Sequence, residues 1–480
     1  MLPDQHPAQA TRRRRLLWLL GVLISALLVA NVVVGVSRGG SSRQTRPASG
    51  IEPLDVDPTF VSYRFYDPLT REPVGFNPCE PIRYVVNEEH APQGGLRDVR
   101  EAVDRISAVS GIPFRFVGMT SEDPLDERLL HQPRRYGPGW APLLVGWSPF
   151  GDDIEEGTLG TADGYFLGND RDELVTVSGF VALNADVELP SGFGSGDAWG
   201  PVILHEIGHV MGLDHVDAPD QVMNHESLFY GPVDLGRGDR TGLVRLGKLK
   251  GCLEAPAPWP ELAARATGPS EAHRVAYGRA RFDPCGWVVY AINDRDAPPG
   301  GVEDVHRGFA RLSAATGIRF AYWGWTDEDP SYSRDPLQPD RYDGWWAPVV
   351  VGWVPEYRLP YGERFRGGAD IHEEPSPYGG HVAVTGAVLL NAERQLDPGY
   401  GRGATQGDLI LHQLGHLAGL QDVDDPSQVM GQDAGPGRAR WGAGDLAGLK
   451  KLGIEAGCIG VPESPALRSG GGLPGAGRRV

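Results

Sequence analysis

Residues 205–215 read HEIGHVMGLDH, and the rest of the chain is interpreted outward from this string. On a helix, His205 and His209 stand four residues apart on one face, close enough for both imidazoles to reach one metal ion. Glu206 sits beside them, facing the remaining coordination position. Gly212 suits a helix end in the left-handed conformation, after which the chain turns back and delivers His215 as a third ligand. Three neutral imidazoles leave the fourth tetrahedral position to water, the arrangement of a catalytic zinc rather than a closed structural one. A bare His pair four apart would equally suit solvated or hydrogen-bonded core histidines. The added His215, Gly212 and Met223 at fixed spacing move the reading to a metal site.

The helix that carries this chemistry is expected over Trp199 to Met211, with a closing helix over Gly238 to Leu249. The string resembles the extended zinc signature of the metzincins. QVMN, with Met223 eight residues after His215, falls where that clan has its methionine turn, and GDRTGLVRLG (238–247) is most similar to the matrixins. The resemblance covers most of residues 56–256. It implies an α/β (α+β) zincin-like fold, a twisted mixed sheet over the active-site helix. The substrate would lie as an added strand along the sheet edge, expected near Val175 to Asn184. It also implies peptide-bond hydrolysis by a zinc-activated water, with Glu206 taking the proton and returning it to the leaving amine. Met223 would be a supporting floor, not a ligand. Tyr230 either assists at the oxyanion or is an exposed loop residue. Many matrixins are held latent by a propeptide cysteine, but no PRCG-like motif is present, so thiolate latency is not expected.

The chain contains this unit twice. FNPCEPIRYVVN (76–87) returns as FDPCGWVVYAIN (282–293), SGIPFRF (110–116) as TGIRFAY (316–322) and APLLVGW (141–147) as APVVVGW (347–353), each at an offset of 206. VTVSGFVALNAD (175–186) returns as VAVTGAVLLNAE (382–393), one residue further out. So long a period is duplication of a whole domain and not a solenoid repeat. Two metzincin-type domains are expected, at 56–256 and 270–463, with a linker at 257–269 inside a Pro- and Ala-rich stretch and a tail at 464–480. Each repeat has one cysteine near its start and one near its end, so Cys79 with Cys252 and Cys285 with Cys458 is the simplest pairing. Within a repeat the pattern reads strand, helix, three strands, helix, turn, helix. IRYVVN, FRFVG, PLLVGW and GFVALNA are the strands of the first copy, and LRDVREAVDRISAVSG is its amphipathic helix.

The second copy reads HQLGHLAGLQD (412–422), followed by QVMG with Met430. His412 and His416 persist, Gln413 replaces Glu206, and Asp422 replaces His215. Gln neither accepts nor returns a proton near neutral pH, so this copy is expected to be hydrolytically inactive. Asp is a legitimate zinc ligand, which leaves metal binding at a degenerate second site open. Trp323, Trp325, Trp345 and Trp346 are expected to pack inside the domain.

Composition bounds the rest. The net charge of −18 argues against partners that are nucleic acids, and Gly 67 with Pro 41 indicates many loops. Arg12, Arg13, Arg14 and Arg15 precede an uncharged run from Leu16 to Val36, long enough to span a bilayer. It reads either as a cleaved secretory signal or as an uncleaved anchor, and its length and lack of a small-x-small site favour the anchor. The expected order is a basic cytoplasmic tail (1–15), a transmembrane signal-anchor (16–36), a flexible stalk (37–55) and catalytic domains outside the cell, or a secreted protein if the segment is cleaved. Acidic stretches at Gly151 to Glu156 and Gly168 to Glu173 are candidate calcium sites, although such carboxylates are more often simply solvated. The leading expectation is a membrane-anchored zinc endopeptidase acting on protein or peptide substrates. The alternative is a cell-surface binding protein on a zincin scaffold, and retention of Glu206 discriminates against it.

Overall fold

The fold of each copy starts from one amphipathic helix laid on a buried sheet. In Gly95–Ser110 (α1), Val99, Ala102, Val103 and Ile106 form the apolar stripe that the 3.6-residue period puts on one face, and all four are buried. Gly111, with φ of +78°, ends the helix and donates its N–H to Ser107 O. Leu143–Ser148 and Val349–Val354 are near-continuous apolar runs, buried throughout as expected of strands covered on both faces. The computed structural model describes residues 57, 59–126, 128–151, 154, 157–224, 231–276, 280–342, 344–359, 367–401, 404–431 and 439–465.

The first copy has Ile82–Asn87 (β1), α1, Phe114–Met119 (β2), Leu143–Ser148 (β3), Gly160–Gly168 (β4), Leu174–Asn184 (β5), Trp199–Met211 (α2) and Arg237–Leu246 (α3). Its sheet order is β2-β1-β3-β5-β4, parallel except that β4 runs antiparallel to β5. A short helix, Trp259–Arg265 (α4), occupies the linker. The second copy follows with Trp287–Asn293 (β6), Gly301–Thr316 (α5), Arg319–Trp325 (β7), Val349–Val354 (β8), Gly368–Pro375 (β9), His381–Asn391 (β10), Gln406–Ala418 (α6) and Ala443–Lys450 (α7). Its order, β7-β6-β8-β10-β9, reproduces the first, again with the last strand antiparallel. Both copies belong to one compact unit, residues 47–480.

The expected mixed α/β class, the duplication and the carrier helix 199–211 agree with the structure. Two points do not. The strand near Val175 to Asn184 is not the sheet edge: it pairs with β3 on one side and β4 on the other. The edge is β4, absent from the expected pattern because GTADGYFLG carries three glycines and an aspartate and so lacks a strand signature. The closing helix also stops at Leu246, since Gly247 lies so close to Ser110 that a Cβ there would sit 3.1 Å from its Cα.

Cys79–Cys252 and Cys285–Cys458 are bonded as expected, with Cα–Cα distances of 5.2 and 5.4 Å. Trp346 and Trp140 donate from matching positions, to Pro462 O and Pro256 O, each at 2.8 Å. Trp325 departs from the expected packing and is 54% exposed. The carboxylates near Gly168 to Glu173 are not simply solvated: Asp170 pairs with Arg265 and Asp172 with Arg311. Residues 1–56 lie outside the described residues, and with them the N-terminal tail, the 16–36 segment and the whole stalk. Asp152, Asp153, Glu155 and Glu156 do so as well. Among the described residues no helix is long and apolar enough to cross a membrane.

Candidate metal centre

Helix α2 is buried along its whole length, so its polar residues need partners inside the protein. His205 and His209 find them through the same ring nitrogen. His205 Nδ1 lies 2.7 Å from Val222 O, and His209 Nδ1 lies 3.0 Å from Leu213 O. A carbonyl only accepts, so each Nδ1 carries the ring proton of the neutral imidazole and each Nε2 presents a lone pair. Burial, with the neighbouring His215 and His205, holds the His209 pKa well below its usual value and keeps it neutral.

The Nε2 atoms of His205, His209 and His215 converge at 3.1–3.2 Å from one another. Proton-free nitrogens repel at that distance unless a cation lies among them. Tetrahedral bonds of about 2.0–2.1 Å to imidazole nitrogen require N–N edges of about 3.3 Å, close to those observed. The three histidines therefore fit a divalent ion. Gly212, with φ of +112°, terminates α2 by donating to Gly208 O and His209 O, and the reversal brings His215 back as expected.

Glu206 is 4% exposed and lies beneath the start of the edge strand, where a Cβ on Gly160 would be 2.8 Å from its Oε1. Burial pushes its pKa up to about 8, against the pull of Arg64. Met223 passes under α2: a Cβ on Gly208 would come within 2.5 Å of its Sδ, so Gly208 is required there. The turn bearing Met223 is fixed by Asp239, whose carboxylate accepts the N–H groups of Val222 (2.7 Å), Gly236 (2.8 Å) and Met223 (3.3 Å). One relay thus runs from Asp239 through the Val222 peptide to His205.

The second copy repeats this framework. His412 Nδ1 lies 2.8 Å from Val429 O and His416 Nδ1 lies 3.0 Å from Leu420 O, while the two Nε2 atoms are 3.1 Å apart. Asp422 Oδ1 stands 3.3 and 3.4 Å from them. This oxygen is buried with no hydrogen-bond donor. Two lone-pair nitrogens and an ionised oxygen again suit a cation. Asp445, pushed up to about 6 by burial, clamps Val429 and Met430 as Asp239 does in the first copy. Gln413 fills the position of Glu206 and is 1% exposed.

The structure therefore brings together every site residue expected from sequence except Tyr230, which lies outside the described residues. Two contributors were missed. Asp239 lies within the quoted GDRTGLVRLG but gives no chemical cue there. Arg64, 141 positions before His205 in the chain, donates from Nη1 to Ala162 O at 2.8 Å. Its backbone N–H goes to Gly212 O, as Ala276 N–H goes to Gly419 O in the second copy, so only the copy with the carboxylate has the guanidinium. No family model matches the chain, and no curated protein matches it.

Proposed function

We propose that the chain is a zinc-dependent endopeptidase with one hydrolytic copy and one copy that holds a metal without turnover. The observation that carries this reading is the convergence of the Nε2 atoms of His205, His209 and His215 beside a buried carboxylate in the first copy only. His205, His209 and His215 would hold the ion, which when bound supplies Lewis acidity toward water and a carbonyl oxygen. Glu206 accepts the proton of the attacking water and returns it to the leaving amine. Its carboxyl, beside the three imidazoles and beneath the edge strand, is placed for both tasks. Asp239 keeps the His205 ring in the required tautomer through Val222. Gln413 has an amide where that base stands, so the second copy lacks the proton acceptor. Zinc, rather than a harder cation, is the choice of an all-imidazole set. Placement of both copies outside the cell, behind an anchor at 16–36, follows from the apolar run and is consistent with the two disulfides.

The test is metal content by mass spectrometry alongside cleavage of a peptide library. Wild type is expected to hold two zinc ions per chain and to cleave. Glu206→Gln should keep both ions and lose about 10²- to 10⁴-fold in rate. His205→Ala and His412→Ala should each lose one ion, but only the former should lose activity. A metal-loaded wild type that cleaves nothing would sink the peptidase reading.

A further inference from the structure

An extended peptide pairing with the sheet beside Glu206 has one edge to use, that of β4, and the second copy is built against the far half of it. Gly160 lies over Glu206, and two residues on, the Ala162 carbonyl is already taken by Arg64. One residue further, Asp163 is ion-paired to Arg319 of the second copy, itself only 4% exposed. The Arg319 guanidinium lies 4.6 Å from the ring centre of Tyr165 and 4.3 Å from that of Trp287, and it donates to Cys285 O at 2.6 Å. The adjacent Phe166 packs on Trp287 at 4.9 Å, and the Phe65 ring lies tilted 4.2 Å from the same ring. At the end of the strand, a Cβ on Gly168 would fall 2.9 Å from Ala310 Cβ, so α5 sits directly on the backbone. Arg311 then grips Asp172 through two bonds of 2.7 and 2.9 Å.

From Asp163 to Gly168, β4 is thus held against α5, β6 and β7 of the second copy, while Gly164 lies against Val210 of α2. The Arg311–Asp172 pair is two-pronged and the Arg319–Asp163 pair is buried, unlike a loose surface contact.

We propose that the second copy acts as a stop on the cleft of the first. A peptide paired along β4 can extend only about three residues past Glu206 in the direction of Asp163, some 10 Å at about 3.3 Å per residue, before it meets Arg319 and Trp287. The molecule therefore selects substrates by chain length on one side of the scissile bond: short ends or loops that turn away fit, and long extended chains do not. This deepens the peptidase reading and rests on it for the placement of the peptide.

The experiment uses the full chain and a peptide series in which one cleavable core is lengthened residue by residue at either end. In wild type, kcat/KM should fall at least about tenfold once one end, and only that end, exceeds three or four residues. Two variants open the interface from opposite sides: Gly168→Gln, which leaves no room for Ala310, and Arg311→Glu, which repels Asp172. Both should abolish the length limit while leaving the shortest peptides within twofold. The same series, labelled with fluorescein and titrated by anisotropy into Glu206→Gln with and without Gly168→Gln, reads the limit without hydrolysis. Length-limited binding with no cleavage by any form would overturn the peptidase reading and leave the stop standing. Equal binding at all lengths in every form would overturn the stop, even if cleavage occurs.

Discussion

The buried carboxyl of Glu206 and the buried amide of Gln413 occupy matching helix positions in two nearly superposable metal frameworks. The copies therefore differ mainly in the ability to move a proton. Arg64 sharpens the contrast, since Ala276 stands in its place and carries no charge. Another buried titratable group, His306, has a role in stability and none in chemistry. It is 6% exposed, bonds Tyr290 Oη through Nδ1 at 2.9 Å, and is pushed down to about 3 by burial. Unfolded, it titrates near its ordinary 6.5, so between these values the unfolded chain binds the extra proton and stability falls as pH falls. By pH 5 the loss amounts to about 2 kcal/mol relative to pH 7. Denaturant unfolding of wild type and His306→Gln at both pH values should show this difference vanish in the variant. An unchanged slope would mean that His306 is not buried neutral.

Among elements, the turns that carry Met223 and Met430 do more than underlie the helices. Each offers the carbonyl that fixes a histidine tautomer, and each is pinned by one aspartate from the closing helix, Asp239 or Asp445. Asp239→Asn keeps the shape but replaces a charge-assisted acceptor of three amides with a weaker one. Zinc affinity of the first site is expected to fall about 10- to 100-fold, with the second site unaffected, in a competition titration against a chelator. Equal loss at both sites would instead indicate general unfolding. Strand β4 teaches a similar lesson. Its glycines weaken it as a strand, yet Gly160 and Gly168 are where Glu206 and Ala310 approach most closely.

Across the molecule, each disulfide ties the start of a copy to its end over a separation of 173 residues. Closing so long a loop restricts the unfolded chain strongly, and replacing Cys79 and Cys252 together by Ser should cost about 2–5 kcal/mol. A fall in the unfolding midpoint of the first copy alone would show that the copies unfold separately. A single shifted transition would show that the buried Arg319–Asp163 and Arg311–Asp172 contacts couple them. Either result can be read by differential scanning calorimetry on the double variant.

The sequence by itself determined the clustering of His205, His209 and His215, the carboxylate beside them and the cysteine partners, because each of these is written in local spacing or in the constant offset of the repeat. A His pair four apart on a helix has one geometry, and Gly212 permits essentially one way out of it. The duplication also made the loss at Gln413 legible by direct alignment with Glu206. What only the tertiary structure decided are relations between distant segments. The edge strand escaped notice because its residues serve close packing rather than strand propensity. Arg64 reaches the site through a strand contact that no spacing announces, and Asp239 acts through backbone amides that have no sequence signature. The docking of the second copy along β4 depends on pairs such as Asp163 with Arg319, 156 residues apart. Side chains so far apart in the chain are brought into register only by the packed fold, so their partnership appears once both cores have formed.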